Sequence, residues 1–207
     1  MGFLKGLFGG GQRDEPESEQ YKEFQETVPA MMLTHGVLAS CDEIANGQGE
    51  FGYSIDNPIP VNGPRGEINY LSRLCNKGGK FWFHRVGNAK GAVYPYPVDV
   101  YDLIDVGATV YIRLHLGMYH PRRSTKAPRT LSLIPWGQMS EMDRMFSKIG
   151  MTGCNQTVPD FPFGMPTFLA QHLIAMGLPT GVAQATCRKM EAVIQSKAPQ
   201  IRALLAR

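Results

Sequence analysis

The sequence predicts an α+β fold, with an antiparallel β-sheet or partly open barrel from about residue 28 to 135 and a C-terminal helical segment from about 140 to 206. Three observations point there. Apolar and polar residues alternate with period two in short runs between residues 80 and 119, as half-buried strands require. Glycines and prolines separate those runs by short connections, the kind that join antiparallel neighbours. After residue 140 the apolar spacing changes to three and four, the helical period.

Residues 1–27 read as an amphipathic tip and an acidic linker. Phe3, Leu4, Leu7 and Phe8 stand at helical spacing before Gly9, Gly10 and Gly11, and Arg13–Glu26 holds six acids against two bases, a net of −4. Ala30–Ser40 reads as a first strand. Ala45–Glu67 carries glycines at 47, 49, 52, 63 and 66 and prolines at 58, 60 and 64, which excludes a long helix and predicts a long ordered loop. Gly47 and Gly49 are not a dinucleotide fingerprint, because no apolar strand leads into them and no helix is expected to follow.

Ile68–Leu74 is a short strand or a helical turn. Lys80–Val86 is a strand with Phe81 and Phe83 on one face and Trp82 and His84 on the other. Val93–Ile104 and Ala108–Tyr119 follow as two strands of a hairpin across the turn at 105–107, and Thr130–Ile134 is the last strand.

Ser140–Asp143 resembles a capping box for a helix bearing Met142, Met145, Phe146 and Ile149, which Gly150 stops. A loop over Gly153–Gly164 precedes a second helix that begins after Pro166 and ends at Gly177. Thr180 caps a third, with Ala183, Cys187, Met190 and Ile194 on one face, and Pro199 opens a fourth. The implied organisation is a tip and linker (1–27), a β-rich domain (28–136) and helices packed on or beside the sheet (137–207).

At 207 residues, 43% hydrophobic and 19% charged, the chain has the composition of an ordinary globular protein with one ample core. A net charge of +3 is too small to imply a nucleic-acid partner by itself. Cys41, Cys75, Cys154 and Cys187 are scattered, with neither zinc spacing nor a disulfide framework. With no secretory signal legible in the first residues, the expected location is the cytoplasm, with peripheral membrane contact left open.

The charge distribution is more informative than its total. Val106–Ser140 contains no acid and has a net charge of +5 with histidines neutral. The expected strand there points Tyr111, Arg113 and His115 to one face, with Asp99 and Tyr101 of the neighbouring strand as candidate partners. Such a group holds an anion, or combines a histidine acid with an arginine that stabilises negative charge. The following loop adds His120, Arg122, Arg123, Lys126 and Arg129. Its paired arginines offer planar donors suited to phosphate or carboxylate, and a solvated turn or a dock for the acidic linker explains it equally well. No HxH, HxxxH or HExxH spacing marks a metal site, no cofactor motif is present, and no nucleophile elbow marks a catalytic serine.

CDE at 41–43, GEFGY at 49–53, NPIPVNGPRGEINYLSRL at 57–74, FHR at 83–85 and MYHPRRSTKAPR at 118–129 together resemble a group of small bacterial domains of unassigned function. The resemblance spans roughly residues 38–130 and implies a bacterial, single β-rich unit; it brings no activity, cofactor or catalytic residue with it.

The expected function is therefore a non-catalytic binding or adaptor protein. It would engage an anionic ligand or an acidic protein through Tyr111, Arg113, His115, His120, Arg122, Arg123, Lys126 and Arg129, with nucleic acid a lesser candidate. Two alternatives stay open. One is a metal-independent enzyme acting on a phosphorylated or acidic small molecule, with His115 or His120 as acid and base, Arg113 and Arg122 on the developing charge, and Tyr111 or Asp99 orienting the histidine. The other is a peripheral membrane protein that combines residues 1–8 with the basic loop.

Overall fold

The computed structural model of the protein describes residues 42–120, 123–139, 153–175 and 177–206. In chain order these form β1 (Ile59–Pro60), α1 (Gly63–Arg73), β2 (Leu74–Asn76), β3 (Gly79–Ala89), β4 (Val98–Asp105), β5 (Tyr111–Gly117), β6 (Ser132–Leu133), a 3-10 turn (Trp136–Gln138) and β7 (Gly153–Cys154). Helices α2 (Met165–Ala175), α3 (Thr180–Ser196) and α4 (Ala198–Leu205) complete the chain. The class is α+β: a curled, open sheet with a C-terminal helical segment.

The sheet runs β1-β5-β4-β3-β2-β6, and β7 adds to β3. Its centre is the alternating stretch legible in the sequence, with β3, β4 and β5 antiparallel and the last two joined as a hairpin. At one register His84 lies opposite Asp102, and Asp102 opposite Arg113. Because successive side chains alternate, this places the two halves of the core on opposite faces. Phe81, Phe83, Tyr101, Leu103, Leu114 and Leu116 pack against Ile68, Leu71 and Leu74 on the side of α1. Trp82 and Ile104 pack with Met165, Leu169, Ala183 and Ile194 on the side of the C-terminal helices.

Four details correct the sequence reading. The expected loop to Glu67, with a short strand or turn after it, is interrupted by an 11-residue helix at Gly63–Arg73. Gly63 turns the chain with φ +72, and Pro64 sits in the first turn, where a missing N–H costs no intrahelical bond. The sheet is mostly antiparallel by neighbour, as expected, but mixed, since β1 runs parallel to β5 and β7 parallel to β3. Strand β5 starts at Tyr111 rather than at Ala108. The Asp105 carboxylate accepts the amides of Thr109 and Val110 at 2.7 Å each and the Thr109 hydroxyl at 2.8 Å, and so extends the turn. Thr180 is the first residue of α3, following Pro179, and makes no capping bond. The expected tip and linker, the strand at 30–40 and the helix at 140–150 lie outside the described residues.

Candidate functional site

The sequence expected a Tyr–Arg–His–Asp group on one face of β5, and the register supplies one with different members. On the face turned to the C-terminal helices, Asp102 accepts the Tyr111 hydroxyl at 2.6 Å and both Nε and Nη2 of Arg113, at 2.7 and 2.9 Å. Asp99 and Tyr101 are one register off and point to the opposite face. The hydrogen bond to Asp102 raises the Arg113 pKa, while burial and then Asp102 push the Tyr111 phenol up to about 12. Arg113 stays charged and Tyr111 stays a donor. Half of the Arg113 side chain is exposed, at 51%.

The histidine opposite Asp102 is His84, not His115. Its ring stacks on Phe161 at 4.1 Å, and the Val158 amide donates to its Nδ1 at 3.0 Å, which leaves the proton on Nε2. Burial lowers its pKa, so the ring is neutral near pH 7. Cys154 follows in register on β7. The Cys154 thiol donates to the Gln156 carbonyl at 3.2 Å and burial raises its pKa, so it is held protonated rather than activated by His84. His115 is half-buried against the carbonyls of Gly52 and Tyr53, and burial lowers its pKa.

The other face holds the more unusual cluster. The Arg85 Nη2 donates to Asp99 Oδ1 at 2.6 Å, and the Tyr101 hydroxyl donates to Glu67 Oε2 at 2.8 Å. Glu67 comes from α1 and is 1% exposed. Its Oε1 meets no donor among the described residues, and the Glu67 side chain lies in hydrogen-bonding reach of Asp99. Burial first, and Asp99 second, raise the Glu67 pKa well above the usual carboxylate range. Glu67 therefore favours its protonated form over a wider pH range than an exposed carboxyl does. Burial opposes the charge on Arg85, and the Asp99 carboxylate outweighs it, so the guanidinium stays charged.

An aromatic rim joins this cluster to the chain beyond β5. Burial raises the Tyr119 pKa, and the Asp99 and Glu67 carboxyls raise it further. Tyr119 contacts Tyr96 with ring centroids 5.1 Å apart, Tyr96 contacts Tyr94 at 5.6 Å, and Tyr94 stacks on His120 at 5.5 Å. Tyr94 needs Gly117 beneath it, since a Cβ there would lie 2.9 Å from the ring. The Asp56 carboxylate accepts the amides of Ala92 and Val93, which anchors the segment leading to Tyr94. His120 is 6% exposed with an unpartnered Nε2, and burial pulls its pKa down to about 4.

The basic loop is strapped down. Ser124 donates its amide to Pro60 and its hydroxyl to Asp42, while the amide and hydroxyl of Thr125 both reach the Asp42 carboxylate. Lys126 pairs with Glu43 and lies over the Phe51 ring, and its carbonyl accepts the Tyr70 hydroxyl at 2.6 Å. Arg129 pairs with Glu50 at 2.9 Å and is 81% exposed. Arg123 is buried, with its Cγ near Gly66 of α1. Arg122 lies outside the described residues. The seven described residues of the eight expected thus divide among four places: Tyr111 and Arg113 on one face, His120 under the tyrosine rim, Lys126 and Arg129 at the surface, and His115 and Arg123 packed between elements.

Sequence reasoning missed Glu67, Arg85, Tyr94 and Tyr96. The sequence carries the signal for Glu67: at the spacing Glu67, Tyr70, Leu71, Leu74 an acid stands on the apolar stripe of a helix, which is hidden when the loop is carried to Glu67 and the helix is not started at Gly63. Among the described residues no group of three or more His, Cys, Asp or Glu is placed to hold a metal ion, and no helix is long and apolar enough to cross a membrane. No protein-family model matches the chain, and no match was found among curated proteins or solved structures.

Proposed function

We propose that the protein is a non-catalytic binding protein for a ligand or partner carrying a phosphate or carboxylate, and that Arg85 receives that group. One observation carries this reading. The Arg85 Nε is buried with no acceptor among the described residues, while 29% of the side chain is exposed next to the tyrosine rim. A guanidinium with donors left over is suited to an oxyanion, which it takes with two parallel hydrogen bonds. The hydroxyl of Tyr119 supplies a further donor, and the half-buried rings of Tyr96 and Tyr119 supply a flat apolar wall for the rest of the ligand. Lys126, Arg129 and Arg113 each face a carboxylate of the same chain, as Arg85 does, but among the described residues none of the three carries a buried nitrogen without an acceptor.

The test is thermal unfolding with sulfate, inorganic phosphate, citrate and sugar phosphates. Wild type is compared with Arg85→Gln and with the double variant Lys126→Ala/Arg129→Ala. A ligand at about 100 times its dissociation constant stabilises by roughly 2.7 kcal/mol, a shift of a few degrees. The shift is expected to vanish in Arg85→Gln and persist in the loop variant. The reverse pattern would move recognition to the loop.

A second reading, an enzyme acting on a phosphorylated or acidic small molecule, draws on Glu67. A buried carboxylic acid kept uncharged beside a bound oxyanion is what a general acid requires. Turnover of a phosphomonoester or activated ester that stops in Glu67→Gln would favour it; unchanged ligand after prolonged incubation would exclude it for those classes.

A further inference from the structure

We propose that the cleft between α2 and α3 binds a free amino acid with an apolar side chain, its carboxylate on Arg188 and its ammonium on Glu191. The site lies on the C-terminal helices and is independent of the Arg85 reading above.

Helix α2, MPTFLAQHLIA, is apolar on nearly every side, and such a helix is normally buried all round. Leu169 and Leu173 pack towards the sheet, yet Ile174 on the outer side is 37% exposed. There Ile174 lines a cavity of about 420 Å³ that opens between α2 and α3. Small-molecule pockets run from roughly 300 to 1,000 Å³. Helical spacing brings one side of each helix to it. Thr167, Ala170 and Ile174 stand three and four apart on α2, as Gln184, Arg188 and Glu191 do on α3. A short connection after Ala175 makes the two helices a hairpin, so Ile174 and Gln184 stand at its turn end and Thr167 and Glu191 at the far end. Seven residues of helix make that span about 10 Å.

Charge decides the class of ligand. Arg188 and Glu191 line the same cavity, and among the described residues neither makes an ion pair or a hydrogen bond through its side chain, with the other or with a third group. A cation that precedes an acid along a helix pairs less well than one that follows it, so two opposite charges stand in one cleft without neutralising each other. A ligand with both charges on neighbouring atoms satisfies both. Arg188 takes a carboxylate with two parallel hydrogen bonds, and Glu191 takes an ammonium. Their offset of three residues, about 4.5 Å along the axis, suits the two groups of one α-carbon. The side chain of the ligand then runs from Arg188 towards the turn end and covers Ile174. A plain carboxylate or phosphate meets repulsion from Glu191, and a plain amine meets it from Arg188.

L-Leucine is the probe, in an amide NMR titration of the full chain. The comparators are 4-methylpentanoate, which lacks the ammonium, isopentylamine, which lacks the carboxylate, and glycine, which lacks the side chain. Leucine is expected to move the amide signals of α2 and α3, and each comparator to bind at least about tenfold more weakly. Arg188 and Glu191 are exposed, so Arg188→Gln and Glu191→Gln leave the fold intact. Each is expected to weaken leucine roughly ten- to a hundredfold, whereas Arg85→Gln leaves it unchanged. Leucine that moves no signal of α2 or α3, 4-methylpentanoate that binds as tightly as leucine, or binding that survives both helix variants would overturn the proposal. Loss of leucine binding in Arg85→Gln would also overturn it, by moving the amino acid to Arg85, and would leave the Arg85 reading standing.

Discussion

The two faces of β3, β4 and β5 carry the same kinds of polar side chain in opposite electrostatic settings. Towards the C-terminal helices, Asp102 accepts Tyr111 and a bidentate Arg113, so one carboxylate meets one guanidinium and the charges close within the sheet. Towards α1, Asp99 meets Arg85 in the same cross-strand manner, but the helix then delivers Glu67 to the same spot. That third group is surplus. A cross-strand ion pair satisfies itself, whereas an acid brought in by another element and buried there has its pKa raised. The first face closes its charges in a half-exposed pair; the second buries an acid whose carboxyl is biased towards its protonated form.

Several changes would break or sharpen that contrast. The largest is expected at Glu67. Glu67→Ala leaves a cavity and an unpaired Tyr101 hydroxyl, and should cost roughly 3–5 kcal/mol in urea unfolding. Glu67→Gln should cost far less and should stabilise the protein relative to wild type at high pH. The sign follows from the raised pKa: the Glu67 contribution is fully present below the ordinary carboxylate pKa and is lost as pH rises through the raised value. A wild-type stability that does not decline on the alkaline side relative to Glu67→Gln would mean that Glu67 is ionised after all.

His120 runs the other way. Its pKa is lowered from 6.5 to about 4, so its contribution is present above pH 6.5 and is lost as pH falls from there to about 4. The loss is on the order of 3 kcal/mol. His120→Phe keeps the stack on Tyr94 and should flatten the acid limb of the stability curve; an unchanged limb would place the titrating group elsewhere.

On the opposite face Asp102→Asn should cost only about 1–2 kcal/mol, because the exposed half of Arg113 is screened by water. A cost as large as that of Glu67→Ala would abolish the distinction between the faces. The smallest effects belong to the loop. Lys126→Ala and Arg129→Ala should each change stability by less than about 1 kcal/mol, and less still at high salt.

Much of the fold was legible because strand alternation is a local property. Phe81 and Phe83 against Trp82 and His84, and the hairpin of β4 and β5, follow from period two and a turn. The same pattern placed Tyr111 and Arg113 on one face correctly. It did not identify their partner, because a shift of one residue in register exchanges Asp99 and Tyr101 for Asp102 and leaves the alternation intact. Only the first half of helix α1 reads as a loop in the sequence, because its glycines and proline look like breakers although Gly63 and Pro64 stand where a helix begins; the second half reads as a short strand or a helical turn. A dock for the acidic linker, one of the readings of the basic loop, falls on residues outside the described ones; among the described residues Lys126 and Arg129 meet Glu43 and Glu50.

The sequence by itself determined the α+β class, the faces of the central strands and the stock of arginines, tyrosines and histidines near β5. Tertiary structure alone decided which of those groups share a site. Ionisation and hydrogen bonding depend on contacts between elements distant in the chain, such as Glu67 with Asp99 or Tyr94 with His120. Periodicity reports the face a side chain takes, and only packing reports what stands opposite it.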